Sequence, residues 1–348
     1  MSGKVGIVYN DPVPGAYHKL GEMGAVAGVL DSVAAVSQAL CELHCEVVTL
    51  ALTPPLSTAE PELRKVDVDI VFNLFEGFDG ASDSEAAVAG LLEEMGVCFT
   101  GSPSYALRVC QDKSMAKQVL RSHGIPTPDW QVLSPQNLGD FHLSFPCIIK
   151  PLGEHASHGI SEKSVVSVLR SLKKQVDFIY QAYGRPSLVE EFLPGREFCT
   201  LVVGNERLRV FPIEEVIYGL PPRKPRILTY AAKWVAEDGY FGWTKQKCPA
   251  EVTADLKENI EDLALRSFVA LGCRGYARMD MRQDREGQLM VLDVNPNPDI
   301  SAQGGARLQV EAAGVDYVAF IQEILSLAKE SFPSARWEDL RCRPVETA

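Results

Sequence analysis

The clearest indication of a chemical site is a segment in the last quarter of the sequence that carries several charged side chains. Residues 277–282 and 290–295 alternate apolar and polar side chains, so we predict two strands of a hairpin joined by a polar turn at 284–287. The apolar face of this hairpin would carry Met279, Met281, Met290, Leu292 and Val294. The opposite face would carry Arg278, Asp280, Arg282, Val291, Asp293 and Asn295.

The polar face of the predicted hairpin sets two carboxylates against each other. A turn centred in the polar segment places Asp280 opposite Asp293, and Arg278 opposite Asn295. Like charges directly opposite each other destabilise a sheet, so a positive group should lie between them. A divalent metal with Asn295 as a third oxygen ligand fits this pattern. Neutralisation of both acids by Arg278 and Arg282 on a solvated face fits it equally well, and both interpretations stay open here.

A lysine at the end of an apolar strand, together with the loop after it, suits an anion. Lys150 follows the apolar residues 147–149 and precedes a loop with glycine at both ends, residues 153–159. Cations and backbone N–H groups in such a place bind phosphate, although a lysine there is often only solvated. The loop does not match the P-loop or the dinucleotide fingerprint. His155 and His158 lack a third ligand at matching spacing, so we expect no metal in this loop.

Two further acids end an apolar strand. Glu190 and Glu191 follow Leu188 and Val189, where their carboxylates could accept hydrogen bonds from the hydroxyl or amino groups of a ligand. An exposed acidic turn explains the same residues equally well.

The composition limits the class of protein. The 348 residues predict two or three domains, and 46% hydrophobic with 23% charged residues is typical of a globular chain. The net charge of −12 argues against a nucleic-acid partner. We find no apolar run near the ~18 residues of a membrane span and no signal-peptide pattern. Nine scattered cysteines without a C-x-x-C pair predict no zinc site and a reducing, cytoplasmic location.

The elements that must position these residues divide into three parts and a tail. Strands at 5–9, 46–50 and 69–74 alternate with helices at 25–43 and 84–95, which predicts an α/β unit with a doubly wound parallel sheet at 1–102. A smaller unit, 103–187, would hold a helix at 112–123, a strand at 146–150 and a helix at 164–175. The third unit, 188–330, would hold a helix at 255–271, the hairpin at 275–295 and a helix at 315–329. Residues 331–348 read as a tail.

Ordered together, these features resemble the ATP-grasp superfamily and, within it, the D-alanine–D-alanine ligase family. No single motif is specific, but the series runs in family order and covers residues 1 to about 328. The segments are Phe99-Thr100-Gly101-Ser102, Asp112-Lys113, Gly124-Ile125-Pro126-Thr127-Pro128, Ile148-Ile149-Lys150-Pro151, Glu190-Glu191-Phe192-Leu193-Pro194-Gly195-Arg196-Glu197, Ala231-Ala232-Lys233-Trp234, Ala277-Arg278-Met279-Asp280 and Asp293-Val294-Asn295-Pro296.

The resemblance implies α/β and α+β domains with a nucleotide clamped between the second and third units. It implies ATP contacts from Lys113, Lys150, Ser157 in the 153–159 loop, Glu190, Glu191, Leu193, Glu197 and Lys233. It implies two Mg²⁺ ions held by Asp280, Asp293 and Asn295. Arg278 would face the oxyanion that forms when an amine attacks an acyl phosphate, and loop closure would exclude water.

Departures from the family bear on the substrates. The family's acid at the start of the first helix has no clear counterpart, although Glu22 in an insertion around 16–24 could replace it. Glu76 lies in the altered segment where the family binds its first substrate. A glycine whose N–H aids the oxyanion falls at Asp299, which we expect to pair with a cation or accept a proton. Gly304 and Gly305 replace the pair that holds the acceptor's carboxylate and would leave space.

These departures favour an ATP-dependent carboxylate–amine ligase for small partners other than D-alanine. The alternatives are a D-alanine–D-alanine ligase of cell-wall synthesis and, less favoured, a non-catalytic nucleotide sensor. We expect small-molecule carboxylate and amine substrates, no nucleic-acid or membrane partner, and a homodimer as an additional expectation.

Overall fold

The computed structural model describes residues 3–332, apart from residue 303. The predicted tail therefore lies outside the described residues beyond Phe332. Three sheets and the helices around them make up the described part, and they follow one another along the chain.

The first sheet is parallel, as predicted, with strand order β2-β1-β3. A parallel bridge between Val71 and Phe99 extends it at one edge. The strands are β1 (Lys4–Asn10), β2 (Glu46–Leu52) and β3 (Ile70–Leu74), and the helices of this part are α1 (Ala16–Leu20), α2 (Met23–Ala27), α3 (Val29–Glu42), α4 (Leu56–Leu63) and α5 (Ser84–Glu94).

The helix predicted at 25–43 is two helices that meet at Gly28. The ring of Trp234 packs so closely on this residue that a Cβ atom there would lie 3.1 Å from it. By length and composition alone, Met23–Glu42 would also pass as a membrane span, although the sequence predicts none. In the structure, Val36 and Leu40 of this segment lie in the core against the first sheet.

The second sheet is antiparallel, with strand order β4-β7-β5-β6. Its elements and the helices before it are α6 (Ser104–Gln111), α7 (Lys113–Ser122), β4 (Trp130–Leu133), β5 (Cys147–Pro151), β6 (Val165–Val166), α8 (Leu169–Tyr183) and β7 (Ser187–Glu191), with short 3₁₀ helices at Leu138–Asp140 and Glu162–Ser164. The helix predicted at 164–175 is wrong at its start. The β-branched Val165 and Val166 pair with β5 instead, so α8 begins at Leu169.

The third sheet is antiparallel and has six strands, in the order β11-β10-β8-β12-β13 with β9 paired to β8. Its strands are β8 (Glu197–Gly204), β9 (Arg209–Val210), β10 (Glu214–Tyr218), β11 (Thr244–Lys247), β12 (Gly275–Gln283) and β13 (Leu289–Asn295). The helices around it are α9 (Tyr230–Trp234), α10 (Gly239–Trp243), α11 (Ala254–Ala270), α12 (Gly305–Ala312) and α13 (Tyr317–Ser331).

Packing crosses the boundaries that we drew along the sequence. Strand β7 completes the second sheet, so a division at residue 188 would cut it from its partners β4 and β5. Helices α6 and α7 share a core with the third sheet, and α13 packs against the first. The division into domains stays a prediction, and the change from second to third sheet falls between Glu191 and Glu197.

Candidate active site

The hairpin of β12 and β13 has the predicted register at its open end. Asp280 lies opposite Asp293, and Arg278 lies opposite Asn295. A bulge after Asp280 shifts the rest of the pairing by one residue, so that Met281 faces Val291.

This bulge reverses part of the predicted alternation. Val291, which we placed on the polar face, is fully buried in the core. Met290 and Leu292, which we placed in the core, are only half-buried, and Leu292 lines a cavity beside Ile148. The carboxylate pair was predicted correctly because the extra residue of the bulge compensates for a one-residue difference between the predicted and the observed pairing near the turn.

Each of the two opposed acids has its own cation. Arg278 donates to both oxygens of Asp280, at 2.8 and 2.9 Å, and Lys113 Nζ lies 3.1 Å from Asp293 Oδ2. Burial alone would raise the pKa of Asp293, but the charges of Lys113, His155 and Lys150 together outweigh burial and lower this pKa to about 2. Arg282 does not join these pairs. It is buried and donates to Glu197 at 2.9 Å.

The chemistry of this face suits a magnesium ion. Two carboxylates and the amide oxygen of Asn295 are hard oxygen donors, and Mg²⁺ is usually held by one or two carboxylates together with substrate phosphates. Within residues 3–332, no group of three or more His, Cys, Asp or Glu side chains is placed to hold a metal. These donors therefore fit an ion that arrives with a phosphate ligand better than a closed metal cage.

Helix α7 supplies two lysines from one face. The Asp112 carboxylate caps its start by accepting from the N–H groups of Ser114 and Met115, at 2.9 and 3.1 Å. Lys113 and Lys117 are four residues apart and both are buried. The cap thus fixes the helix start that directs Lys113 toward Asp293.

A buried acid holds two lysines together. Glu190 Oε1 lies 2.5 Å from Lys117 Nζ, and Glu190 Oε2 lies 2.5 Å from Lys150 Nζ. Lys117 also donates to Thr127 Oγ1 at 2.8 Å. Burial would raise the pKa of Glu190, but the two lysine charges outweigh it and lower this pKa. This pairing holds the charged side chain of Lys150 at the end of β5, largely shielded from solvent.

The loop after β5 has a strained backbone. Ala156 and Ser157 have φ values of 53° and 62°, in the left-handed region that side chains other than glycine rarely adopt. Trp234 Nε1 donates to the Ala156 carbonyl at 3.1 Å and holds this conformation. Such strain of about 1–3 kcal/mol a residue persists at ligand-binding segments when neighbours impose it.

The N-terminal insertion fastens this loop from the other side. Glu22 accepts from His158 Nδ1 at 2.7 Å, from Gly159 N at 3.1 Å and from Tyr183 OH at 2.8 Å. Tyr17 donates to Glu154, and its ring stacks on His158 with centroids 4.1 Å apart. The sequence offers Glu22 as a partner for a substrate's ammonium group. In the structure its carboxylate is engaged by the loop and lines neither cavity, and that role stays a prediction.

Two cavities meet at this site. The smaller cavity, about 120 Å³, lies among Lys113, Lys150, Ser157 and the metal-type donors of the hairpin. The larger cavity, about 430 Å³, extends toward Glu76 and α12. The residues common to both walls include Lys233, Arg278, Asp280 and Glu197. Burial, together with the charge of Arg278, lowers the pKa of Lys233.

The far end of the larger cavity is acidic. Asp299 accepts from Ser32 Oγ at 2.9 Å and from Ser301 N at 2.7 Å. Burial and the nearby Asp299 raise the pKa of Glu76 to about 8, and burial raises the pKa of Glu85 to about 7. Glu76 nevertheless remains exposed to the water of the cavity.

The glycine pair does not leave the space that we expected. A Cβ atom at Gly304 would lie 2.7 Å from the Asp299 carbonyl oxygen and 3.0 Å from Asp299 Oδ2. A Cβ atom at Gly305 would lie 2.9 Å from Glu214 Oε2. The room that two side chains would need is occupied by the Asp299 backbone and by two carboxylates. We call Glu214, Asp299, Gly304 and Gly305 the acceptor end.

The structure brings most of the predicted site residues to the two cavities. The residues that line one or both are Glu76, Lys113, Lys150, Ser157, Glu197, Lys233, Arg278, Asp280, Asp293, Asn295, Asp299, Gly304 and Gly305. Glu190, Glu191 and Leu193 are not among the lining residues, since Glu190 and Leu193 are buried and Glu191 faces outward. Their contact with adenine, and the roles of the other residues, stay predictions.

Sequence reasoning missed three groups of this site. Lys117 was detectable from its spacing of four residues after Lys113. Tyr17 was missed, and so were the contacts of Glu22 with the 153–159 loop, because both depend on α1 and α2 folding over that loop, which no local pattern signals. No pattern in the sequence singles out Glu214, since its place in the site depends on Gly305, 91 residues later in the chain.

Known proteins are similar to this chain in sequence and in fold. Residues 119–326 match the family described as D-ala D-ala ligase C-terminus. A D-alanine–D-alanine ligase of Carboxydothermus hydrogenoformans is 30% identical over 279 residues, 77% of this chain and 84% of that protein. An uncharacterised protein, y4sG, of Sinorhizobium fredii is 32% identical over 263 residues, 76% of this chain and 75% of that protein.

Solved structures give the same result for the fold. A D-alanine–D-alanine ligase from Bacillus anthracis complexed with ATP has a TM-score of 0.72 at 20% identity and covers 96% of this chain and 99% of that one. A D-Ala:D-Ser ligase from Enterococcus faecalis has a TM-score of 0.73 at 18% identity and covers 94% of this chain and all of that one. The predicted fold class and family resemblance are confirmed. The chain belongs to the D-alanine–D-alanine ligase family, has its ATP-grasp fold, and is an ATP-dependent, ADP-forming ligase that makes a C–N bond.

Proposed function

We propose that the protein activates a small carboxylate as an acyl phosphate and joins it to an amine that is not D-alanine. The observation that carries this proposal is the wall shared by the two cavities. Lys233, Arg278 and Asp280 border both the smaller cavity, which has the cations for phosphates, and the larger one, which has room for two small organic substrates. A group transferred across that wall would pass directly between cations.

The smaller cavity is the place for the ATP phosphates. Lys113 and Lys150 carry the positive charge there, and Ser157 offers a hydroxyl from the strained loop. Glu197 would hold the ribose, and Glu190, Glu191 and Leu193 would lie toward adenine. Lysines neutralise charge on a transferring phosphoryl group, which is the main contribution a protein makes to this reaction.

Asp280, Asp293 and Asn295 would hold two Mg²⁺ ions in this proposal. The ions would supply charge neutralisation on the phosphates. Arg278 and Lys113, which now pair with Asp280 and Asp293, would then be partly released toward the reacting groups.

The proposed reaction balances in two steps. A carboxylate oxygen of the donor forms a bond to the γ-phosphorus as the bond to the β–γ bridging oxygen breaks, which releases ADP. The amine nitrogen then forms a bond to the acyl carbon, and the resulting oxyanion faces Arg278. The C–O bond to phosphate breaks, phosphate leaves, and the amine's proton passes to an acid such as Asp299.

The choice of substrates is the least family-like part of the site. The relatives include D-alanine–D-alanine ligases, so D-alanine is the second candidate and must be one arm of any test. The acids at the acceptor end favour a different acceptor. We propose a cytoplasmic location, small-molecule partners alone and a homodimer on the same family grounds.

The decisive experiment follows oxygen from the donor into phosphate. Pools of carboxylates labelled with ¹⁸O are incubated with Mg-ATP and pools of amines, with labelled D-alanine run separately. Released phosphate should carry one labelled oxygen, and ADP should depend on both pools. ADP formation without label in phosphate would contradict the acyl phosphate. Rapid D-alanyl-D-alanine synthesis would establish the second candidate instead.

A further inference from the structure

The larger cavity carries many more acids than bases. Nine of its lining residues are Asp or Glu, against one lysine and one arginine. Four of the nine are engaged by neighbours described above: Glu154 by Tyr17, Glu197 by Arg282, Asp280 by Arg278, and Asp79 by the backbone N–H of Tyr17. Of the remaining five, Glu214 and Asp299 lie at the acceptor end, where the charge of Arg278 acts on Glu214 without forming an ion pair.

Glu214 is a buried acid of the larger cavity whose hydrogen bonding is incomplete. Its side chain lies in β10 with 1% of the residue exposed, and it borders the larger cavity. Cys199 Sγ lies 3.6 Å from its Oε1. Its Oε2 has no hydrogen-bond partner among the described residues, although the Gln309 amide lies near the carboxyl. A buried carboxylate oxygen without a donor is costly, and buried polar groups are nearly always paired.

Glu214 and Asp299 each approach one glycine of the neighbouring pair Gly304 and Gly305. Oε2 of Glu214 borders Gly305, and Oδ2 of Asp299 borders Gly304, because each glycine lacks the Cβ atom that would lie within 3.0 Å of that oxygen. The opposite oxygen of Asp299 is already held by Ser32 and Ser301. Two carboxylate oxygens are therefore left at the acceptor end with hydrogen-bonding capacity to spare.

We propose that the acceptor is an amine with a second cationic group, and that Glu214 together with Asp299 binds that second group at the acceptor end. This inference rests on the proposed function, since it names the class of one substrate of the same ligase. An ammonium offers three donors and a full positive charge, which meets the unpartnered oxygen of Glu214. An acceptor carboxylate at the same place would meet the like charges of two acids, with the Gln246 amide as a neutral neighbour.

The test measures binding without any need for the donor. The full-length protein with Mg-ADP is titrated calorimetrically with diamines of two to five carbons and with the monoamine of each length. The best diamine should bind at least about tenfold more tightly than its monoamine, a difference typical of one well-placed charge pair. Equal binding across every pair of lengths would overturn the inference.

A matched pair of variants locates the second charge. Glu214→Gln should abolish the diamine preference and leave monoamine binding unchanged, because the amide keeps the shape but not the charge. Glu215→Gln alters the next residue of the same strand, whose carboxylate pairs with Arg196, and should keep the preference. Loss of the preference in both variants, or in neither, would contradict the assignment to Glu214. If Glu214→Gln does not fold, Gly305→Ala, which crowds Glu214 Oε2 from the other side, must lower the preference instead.

The two proposals fail in different ways. If diamines bind tightly but no carboxylate yields labelled phosphate with any amine, the ligase reaction above is wrong and the cation site stands. If a ligase reaction is found whose best amine carries no second charge, the ligase stands and the cation site is wrong.

Discussion

The two cavities that meet at Lys233 and Arg278 differ in how their acids are balanced. Around the smaller cavity, Asp293 faces Lys113, and Glu190 lies between two lysines. At the acceptor end, no Lys or Arg among the described residues forms an ion pair with Glu214 or Asp299, although the charge of Arg278 acts on Glu214. A wall whose acids are already paired with lysines suits ATP, which is used in every reaction cycle whatever the other substrates are. A wall left acidic makes the ligand supply the missing charge, and specificity can therefore change there without disturbing the phosphate chemistry.

The strongest test of the smaller cavity, where acids are paired with cations, is to remove one of the oxygen donors proposed for magnesium. Asp293→Asn or Asp280→Asn should lower ADP formation by at least about 1,000-fold while the protein stays folded, since charge neutralisation of the phosphoryl group supplies several kcal/mol. Steady-state ADP release and circular dichroism measure the two quantities. Glu286→Gln in the hairpin turn is the control. Full activity in either Asp variant, with magnesium still required, would contradict the assignment.

The buried Glu190 tests whether the same side depends on internal pairing for its stability. Glu190→Gln should lower the free energy of unfolding by about 3–5 kcal/mol, because two buried lysines lose their counter-charge. The neighbouring, exposed Glu191→Gln serves as the control in urea denaturation. A loss below about 1 kcal/mol would mean that the lysines find other partners.

The pH dependence of that loss has a definite sign. The pKa of Glu190 is lowered in the folded protein, so its stabilising contribution is present at neutral pH and disappears as the pH falls through the folded-state pKa. The stability difference between the native protein and Glu190→Gln should therefore shrink below the ordinary glutamate pKa of about 4.3. A difference that grows on acidification would contradict the pairing.

On the acidic side, Asp299→Ala should separate the two halves of the reaction. Amide formation should fall about 100-fold, the usual range for an acid–base group, while nucleotide affinity stays within about twofold. The contacts proposed for the nucleotide lie elsewhere. Asp299→Asn keeps an acceptor for Ser32 and distinguishes loss of charge from loss of packing. Equal losses in affinity and product formation would show that this residue supports the whole site.

The smallest expected effect concerns the fastening of the 153–159 loop. Glu22→Ala removes an acceptor shared by three donors, so the loop should exchange amide hydrogen faster and ADP affinity should fall about three- to tenfold. Tyr17→Phe, which keeps the stack on His158, should have a weaker effect. Unchanged exchange in Glu22→Ala would place control of the loop with Trp234 alone.

Sequence reasoning predicted the balanced side better than the acidic one, for a physical reason. Strand alternation and a short turn placed Asp280 opposite Asp293, since both act over a few residues. The parallel order of the first sheet followed from alternating elements in the same way. Local pattern could not place Val291, because a bulge changes which side each later residue faces. It also could not place the strand at 187–191, whose sheet is decided by distant partners.

The acceptor end could not be predicted from the sequence, because its contacts join residues that are far apart in the chain. Gly304 and Gly305 read as removed side chains, and removal suggested space. The structure shows that Asp299 and Glu214 come within 3.0 Å of where those side chains would begin. No spacing rule connects residue 214 with residue 305, so only the folded chain reveals that the glycines accommodate acids.

The bulge after Asp280 also constrains how this chain can vary in length. It gives β13 one residue more than β12 between the paired carboxylates and the turn. That residue is Leu292, whose side chain lines the smaller cavity, while Val291 stays in the core. Removing Leu292 would absorb the bulge and leave Asp293 opposite Asp280, at the cost of the leucine that lines the smaller cavity. Removing Val294, which lies beyond the bulge, would instead move Asn295 to the opposite face of the strand, because side chains alternate every two residues.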